Sequence, residues 1–213
     1  MSSLKRVSSV YLSLTVFLTA ILISSNVVAV KIIDVWGVVV PAGIILFPLS
    51  YILNDVLAEV YGFSLVRRSI LLAFAGNLIF VLSIYLAIKL PGAAFWSLET
   101  EFEQILGFTP RLLTASFIAY LVGSFVNSWV MVKLKSLTNS KYLWLRTIGS
   151  TIIGEGLDSL VFIVIAFGGM YTSGIIMMML LTQWTVKVVY EVIATPLTYK
   201  AVHYIEKIEN IDK

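Results

Sequence analysis

The chain has 213 residues, of which 59% are hydrophobic and only 13% are charged, and its mean hydropathy is +0.97. This composition lies outside the range of ordinary soluble domains and predicts an integral membrane protein. The net charge of +3 comes from dispersed bases, so no nucleic-acid partner is expected. With no cysteine and a single histidine, His203, the chain lacks the residues for disulfides and for the usual metal centres, and we expect no metal and no cofactor.

Six apolar runs are long enough to cross roughly 30 Å of hydrocarbon, at about residues 10–30, 38–62, 69–89, 112–133, 146–168 and 174–202. They predict an all-α integral membrane protein with six transmembrane helices, in a single transmembrane domain over residues 1–213. The first run is longer than a signal-peptide core and has no cleavage site after it, so we expect it to stay in place. Because three is an odd number, a three-plus-three division would invert the two halves. A 3+3 inverted repeat is therefore one interpretation, supported only by a short similarity between residues 26–32 and 127–134.

The basic residues of the loops are distributed unequally between the two sides of the membrane. The N-terminus, the second and fourth loops and the C-terminal tail hold most of them, whereas the opposite side has only Lys31, Lys89 and Arg111. The positive-inside rule then places both termini in the cytoplasm. Lys187 is left within the membrane.

Five carboxylates and one lysine lie inside the predicted spans as three pairs, namely Asp55 with Glu59, Glu155 with Asp158, and Lys187 with Glu191. Each buried charge would cost roughly 2.5 to 3.5 kcal/mol if it faced lipid. The spacing within each pair, three or four residues, puts both members on one helix face. All three pairs lie at similar depths, roughly 18 to 20 Å from a cytoplasmic basic anchor for the deeper member. We therefore expect a polar cavity between the second, fifth and sixth helices.

Two interpretations of these charges remain open. Polar groups often bond one membrane helix to another, and Lys187 with a carboxylate is a natural pair of this kind. Asp55 and Asp158 are harder to explain in this way, because carboxylates outnumber the lysine five to one. A surplus of acids at this depth calls for raised pKa values or for a ligand that is cationic or donates hydrogen bonds. This surplus points to a transport pathway.

Several segments resemble the queuosine precursor transporters, also called the vitamin uptake transporter family. The resemblance rests on residues 47–62 (FPLSYILNDVLAEVYG), residues 150–159 (STIIGEGLDS) with residues 165–167 (IAF), residues 24–26 (SSN) and Lys187. It implies a six-helix protein of a bacterial or archaeal inner membrane that imports 7-deazaguanine bases (preQ0, preQ1 or queuine) for tRNA modification. By family motif it assigns the substrate site to Asn26, Asp55, Asp158 and Lys187, and less directly to Glu59, Glu155 and Glu191.

The chemistry of such a base agrees with the residues. One carboxylate can accept both the N1 hydrogen and the 2-amino group of a guanine-like edge, and a second can balance an aminomethyl arm. The amides of Asn26, Asn54, Asn127 or Gln183 are candidates for the carbonyl edge. The rings of Tyr51, Trp184 or Tyr190 are candidates for stacking. Besides the base, we expect membrane lipid as a partner, and both a monomer and a homodimer remain open.

Three alternatives compete with this interpretation. The chain has no nucleotide-binding motif, so it cannot hydrolyse ATP itself, but it resembles in size the substrate-binding subunits of vitamin importers driven by a partner ATPase. An intramembrane aspartyl protease would use Asp55 and Asp158 as a dyad. The glycine-aspartate element of those proteases is absent, so we expect no enzyme. A structural subunit without cargo would use the charges only for pairing.

Overall fold

A computed structural model describes residues 8–137 and 143–209 of the chain. In chain order the elements are α1 (Ser9–Val28), β1 (Ile32–Val35), β2 (Val38–Pro41), a 3-10 turn (Ala42–Ile45), α2 (Phe47–Lys89), α3 (Glu99–Leu106), α4 (Thr109–Leu137), α5 (Leu143–Phe167) and α6 (Ser173–Glu209). The protein is thus almost entirely helical, as expected. Within the described residues, five stretches are long and apolar enough to cross a membrane, namely Ser9–Val28, Ser64–Lys89, Glu99–Asn127, Gly149–Phe167 and Ser173–Glu209.

Large apolar side chains cover the outside of the helices. Val16, Phe17, Ile79, Phe125 and Ile193 are each at least 62% exposed. Polar side chains such as Asn26, Asn77, Gln183 and Lys187 are buried instead. Water would penalise this inside-out distribution, and hydrocarbon favours it. The protein is therefore an all-α, multi-pass membrane protein.

The first residues of the second predicted span, 38–41, form the second strand of a β-hairpin and not a helix. β1 and β2 pair antiparallel, with Val35 opposite Val38. The two residues between them, Trp36 and Gly37, both have positive φ, which is the geometry of a two-residue type I′ turn. The Asp34 carboxylate accepts a hydrogen bond from the Gly37 amide at 2.8 Å and fixes this turn. The helix expected from residue 38 consequently begins at Phe47, because the β-branched residues before it form strands.

Gly62 interrupts α2 and divides it into α2a (residues 47–61) and α2b (residues 63–89). Its φ of 79° and ψ of 167° lie in a region that is open essentially to glycine alone. The loop expected between the second and third spans, about residues 63–68, is instead helical from its first residue. Gly62 alone therefore takes the place of the loop predicted between the second and third spans.

Hydrogen bonds to α1 show that the chain reverses direction at Gly62. Tyr61, at the end of α2a, contacts Ser8 at the start of α1, with 3.3 Å between their hydroxyl oxygens. Ser25, near the end of α1, donates to the carbonyl of Gly43 just before α2a, at 3.1 Å. α2a therefore runs antiparallel to α1.

α2b runs parallel to α1 by the same kind of evidence. Thr15 and Ser69 are hydrogen bonded at 2.8 Å, and eleven residues further along α1 the Asn26 amide donates to Asn77 at 2.9 Å. Since α2a is antiparallel to α1 and α2b is parallel to it, α2a and α2b form a tight helical hairpin. The described part of the chain thus contains six long or medium helical segments around one interior: α1, α2a, α2b, α4, α5 and α6.

α4 and α5 cross at two glycines. A Cβ atom added to Gly123 would lie 2.8 Å from Cβ of Asp158, and one added to Gly154 would lie 2.7 Å from Cβ of Asn127. Such small residues let two membrane helices approach closely. The two helices run antiparallel, since the Arg111 guanidinium at the start of α4 donates to carbonyls at the end of α5, at 2.7 and 2.6 Å. This close approach fixes the position of Asp158 relative to α4.

Buried apolar side chains fill the end of the bundle beside the hairpin. Phe162, Ile163 and Phe167 of α5 pack there with Leu112 of α4 and Met179 of α6, all at most 3% exposed. Ile32 and Val39 of the hairpin pack against this group. The hairpin therefore covers one end of the interior.

Candidate functional site

A cavity of about 450 Å³ lies inside the bundle and is lined by α1, α2a, α2b, α4, α5 and α6. Nine of the ten side chains predicted for the site line it, namely Asn26, Asn54, Asp55, Asn127, Glu155, Asp158, Gln183, Lys187 and Glu191. The tenth, Glu59, is on α2a, but its side chain lies outside the described part of the structure. The expected cavity between the second, fifth and sixth helices thus exists, and α1, α2b and α4 enlarge it.

Lys187 provides the positive charge of the cavity wall. Its side chain is 5% exposed, and its ammonium lies 3.1 Å from Oε2 of Glu155 and forms a second ion pair with Asp158. Both acids belong to α5, one turn apart, so the lysine joins α6 to α5. From the i,i+4 spacing, Lys187 was predicted to group with Glu191 on the same helix. Both of its ion pairs in the structure instead join α6 to α5.

Asp55 and Glu191 add two further carboxylates from α2a and α6. The carboxylates of Asp55 and Glu155 repel the carboxylate of Glu191. Both Asp55 and Glu191 line the cavity. Among the described lining residues there are therefore four carboxylates and one ammonium. Carboxylates are acceptor-only groups when ionised. The wall is consequently rich in hydrogen-bond acceptors and in negative charge, which suits a ligand that donates hydrogen bonds or carries positive charge.

The predicted amides also lie on this wall. The side-chain oxygens of Asn54 and Asn127 are buried and have no hydrogen-bond partner within residues 8–137 and 143–209. Gln183 is 6% exposed and lies one turn before Lys187 on α6. A buried polar atom without a partner is costly in a folded protein, and a ligand that donates a hydrogen bond removes that cost.

Asn77 and Ser116 are among the polar residues of the wall that were not predicted. Ser116 donates to the Asn26 side-chain oxygen at 3.0 Å, and the Asn26 amide donates to Asn77 at 2.9 Å. The bonds join α4, α1 and α2b. A signal for Asn77 was present, because it is the only amide or acidic side chain between residues 69 and 89. Ser116 carries no such signal, since single serines are common in membrane helices.

The aromatic side chains of the wall differ from those predicted. Phe47, Phe74, Tyr120 and Phe162 line the cavity, and neither Trp184 nor Tyr190 is among the described lining residues. Trp184 instead donates to the Ile152 carbonyl at 3.0 Å. The side chain of Tyr51 lies outside the described residues.

The helix period explains this correction. On α6, Gln183, Lys187 and Glu191 follow one another at four-residue spacing and share the cavity face. Trp184 and Tyr190 are each adjacent in sequence to one of these residues. They are therefore rotated by about 100° around the helix, away from the face that lines the cavity.

Residues 41–201 match the profile of a protein family described as "putative vitamin uptake transporter". The chain belongs to the vitamin uptake transporter family. Membership confirms the resemblance of the motifs at residues 47–62 and 150–159, and it identifies the protein as a membrane transporter of a small molecule and not an enzyme. The alternative in which Asp55 and Asp158 form the catalytic dyad of a protease is therefore rejected.

Two relatives carry more specific names. A "probable queuosine precursor transporter" of Bacillus subtilis (strain 168) is 27% identical over 182 residues, which cover 84% of this chain and 79% of the relative. A "queuosine precursor transporter" of Escherichia coli (strain K12) is 29% identical over 154 residues, covering 72% of this chain and 67% of the relative. No solved structure matches the chain.

Proposed function

We propose that this chain imports 7-deazaguanine precursors of queuosine across the cytoplasmic membrane. The observation that carries the proposal is the cavity wall with four carboxylates and one lysine, in a protein whose relatives are named as queuosine precursor transporters. A volume of about 450 Å³ is within the range of small-molecule sites.

The carboxylates match the donor groups of the base. A guanine-like ring presents its N1 hydrogen and 2-amino group side by side, and one carboxylate can accept both. Asp158 suits this role, because its ion pair with Lys187 and its packing against α4 hold it in a fixed position. Asp55 and Glu191, on the facing helices α2a and α6, then suit a positively charged aminomethyl arm. Glu155 keeps Lys187 in place, and Glu59 remains a candidate from the family motif.

The rings that line the cavity suit stacking of a flat base. Phe74 contacts Tyr120 with 5.9 Å between ring centroids, and both side chains line the cavity. A planar heterocycle stacked on either ring gains contact area without needing further hydrogen bonds. Phe74 and Tyr120 therefore replace Trp184 and Tyr190 as the candidates for stacking.

The six segments around the cavity form six membrane crossings in this proposal, with both termini in the cytoplasm. α2a rises only roughly 22 Å at 1.5 Å per residue. The hairpin and the 3-10 turn complete that crossing, with Val40 and Ala42 each 5% exposed. Non-helical backbone is tolerated at membrane depth where protein covers it. The alternating directions of the segments also allow the inverted 3+3 relation between α1–α2a–α2b and α4–α5–α6.

The experiment uses a host that cannot make queuosine precursors and expresses this chain alone. Queuosine in tRNA is measured after feeding low concentrations of each base to cells with the parent, Asp55→Asn or Asp158→Asn. Asp34→Asn is the matched control, because Asp34 sits on the exposed hairpin turn and an asparagine oxygen can still accept from Gly37. We expect restoration by the parent and the control, and loss in the two cavity variants at equal membrane levels.

The outcome also separates the alternatives. Restoration by all four proteins would argue that the acids only join helices. No restoration by the parent with any base, although the protein is present in the membrane, would reject import by this chain alone.

A further inference from the structure

A directional chain of hydrogen bonds runs along the cavity wall from α4 to α2b. Ser116 donates to Asn26, Asn26 donates to Asn77, and Asn77 donates to the backbone carbonyl of Ala73 at 3.0 Å. The last bond fixes the orientation of every amide in the chain. Since a carbonyl oxygen only accepts, the nitrogen of Asn77 must face Ala73, its oxygen must face Asn26, and the oxygen of Asn26 must face Ser116.

Each of the two amides in this series of hydrogen bonds has one N–H group that the series does not use. A side-chain amide has two N–H donors, and the chain uses one from Asn26 and one from Asn77. Within the described residues neither second N–H has a hydrogen-bond partner. Asn26 is 3% exposed and Asn77 is 2% exposed, yet both line the cavity. The cavity therefore has a donor-bearing wall of neutral amides in addition to its acceptor-bearing wall of carboxylates.

The two walls are separated by about the length of a small base. Ser116 marks the level of the amides on α4, and Gly123, which packs against Asp158, marks the level of the carboxylates. Gly123 lies seven positions after Ser116, which corresponds to a rise of about 10 Å along α4. In a guanine-like ring the exocyclic amino nitrogen and the carbonyl oxygen flank N1 and are about 5 Å apart. Hydrogen bonds of about 2.9 Å, one to a carboxylate in front of N1–H and the amino group and one to the outer lone pair of the carbonyl, place the two protein groups about 8 Å apart. Side chains that reach into the cavity from levels about 10 Å apart can span this distance.

We propose that Asn77, together with Asn26, donates a hydrogen bond to the ring carbonyl oxygen of the substrate while Asp158 accepts from its exocyclic amino group. This proposal rests on the proposed function and names the feature that the site selects, an amino donor and a carbonyl acceptor on the two sides of N1 in one ring. Asn77 is then a specificity-determining residue. Asn26 is held in its bound orientation by Ser116, so the amides need no rearrangement when the base arrives.

The test measures equilibrium binding to the purified full-length chain for three bases. These are 7-deazaguanine, its 6-thio analogue, in which sulfur is a weaker acceptor but N1–H and the 2-amino group remain, and 7-deazahypoxanthine, which lacks the 2-amino group. We expect the parent to bind the oxo base roughly tenfold more tightly than the thio base, and Asn77→Leu to bind the two within about twofold of each other. Discrimination against 7-deazahypoxanthine should persist in Asn77→Leu, because it depends on Asp158.

Ser69→Ala is the matched control. Ser69 belongs to a second buried polar network between α1 and α2b, with Thr15 and Tyr11, but it is not among the described residues that line the cavity. This variant should keep the parent's preference for oxo over thio. If Asn77→Leu does not fold, Asn77→Asp, which keeps the size of the side chain and removes both N–H donors, takes its place.

The outcomes are distinct. An unchanged oxo-to-thio ratio in the Asn77 variant would overturn the inference, and so would an equal loss of affinity for all three bases, since that is the effect of altered packing alone. Failure of the parent to bind any of the bases would reject the proposed function itself.

Discussion

Lys187 on α6 forms an ion pair with Asp158 on α5, and the same ammonium lies 3.1 Å from the carboxylate of Glu155. One cation thus holds two acids of the neighbouring helix in position beside the cavity. Charges at this depth are stable only when they are paired and hydrogen bonded. These three side chains, the Lys187 triad, therefore join α5 to α6 and form part of the carboxylate wall.

Removal of the lysine tests this relationship. Lys187→Met leaves two neighbouring carboxylates without their cation, and we expect a loss of about 3 kcal/mol in the free energy of unfolding, as for other broken buried pairs. Adding Glu155→Gln and Asp158→Asn to Lys187→Met should recover most of this loss, because none of these three side chains then carries a charge. The measurement is denaturant unfolding in detergent micelles.

Lys89→Met provides the control for this prediction. Lys89 is exposed at the end of α2b, where its ammonium lies over the ring of Tyr85. An exposed cation contributes little, so the control should change stability by less than about 1 kcal/mol. Equal stability of Lys187→Met and Lys89→Met would contradict the structural role of the triad.

Much of the cavity wall was predictable from the sequence because charge in a membrane helix is rare and the helix period is fixed. The four-residue spacing of Gln183, Lys187 and Glu191 was sufficient to put them on one face. Asn77 was overlooked because it has no charged neighbour at i+3 or i+4, although an amide within such an apolar segment is itself a signal. Which acid pairs with Lys187 depends on how α5 and α6 face each other, which the spacing along one helix does not determine.

The backbone was less predictable than the site. Residues 38–41 are Val-Val-Val-Pro, and a short apolar run of this kind reads equally well as strand or helix. The preceding Trp36-Gly37 turn was the available signal for a hairpin. Gly62 likewise has a sequence neighbourhood that continues a helix on both sides, and only its backbone angles reveal that the chain turns back there.

The crossing of α4 and α5 gives a second prediction. In Gly123→Ala the new methyl group would lie 2.8 Å from Cβ of Asp158 and 3.2 Å from the Gly154 carbonyl, so the helices must separate. We expect a loss of stability of about 1 to 3 kcal/mol, which is usual for overpacking, and a loss of base uptake because Asp158 moves. Uptake by cells and unfolding of the purified protein are the two measurements.

Gly149→Ala is the control for that crossing. Its Cβ would meet only the end of the Leu134 side chain, at 3.1 Å, which can move aside. This variant should keep both stability and uptake close to those of the parent. If Gly123→Ala behaves as Gly149→Ala does, close approach of the helices at Gly123 is not required.

The reversal at Gly62 gives a third prediction. A Cβ atom there meets nothing within 4 Å, so any cost of Gly62→Ala comes from the backbone angles alone. We expect a cost of about 1 to 3 kcal/mol in the free energy of unfolding. Gly174→Ala, where the added atom also meets nothing and φ is not positive, should be neutral. Identical thermal unfolding of both variants would show that α2 does not need its sharp reversal.

The absence of cysteine from the chain allows a direct test of the direction of the helices. Ser64, next to the reversal of α2, and Ser97, in the segment before α3, are both exposed. Each serine is replaced by cysteine in an otherwise unchanged chain and treated with a membrane-impermeant maleimide. With cytoplasmic termini, the Gly62 turn faces the cytoplasm and the segment before α3 faces outward. Ser97→Cys should therefore be labelled in intact cells, and Ser64→Cys only after permeabilisation. The parent, which has no thiol, is the blank.

Labelling of Ser64→Cys but not Ser97→Cys in intact cells would invert the topology. Labelling of both in intact cells would mean that α2b does not cross the membrane.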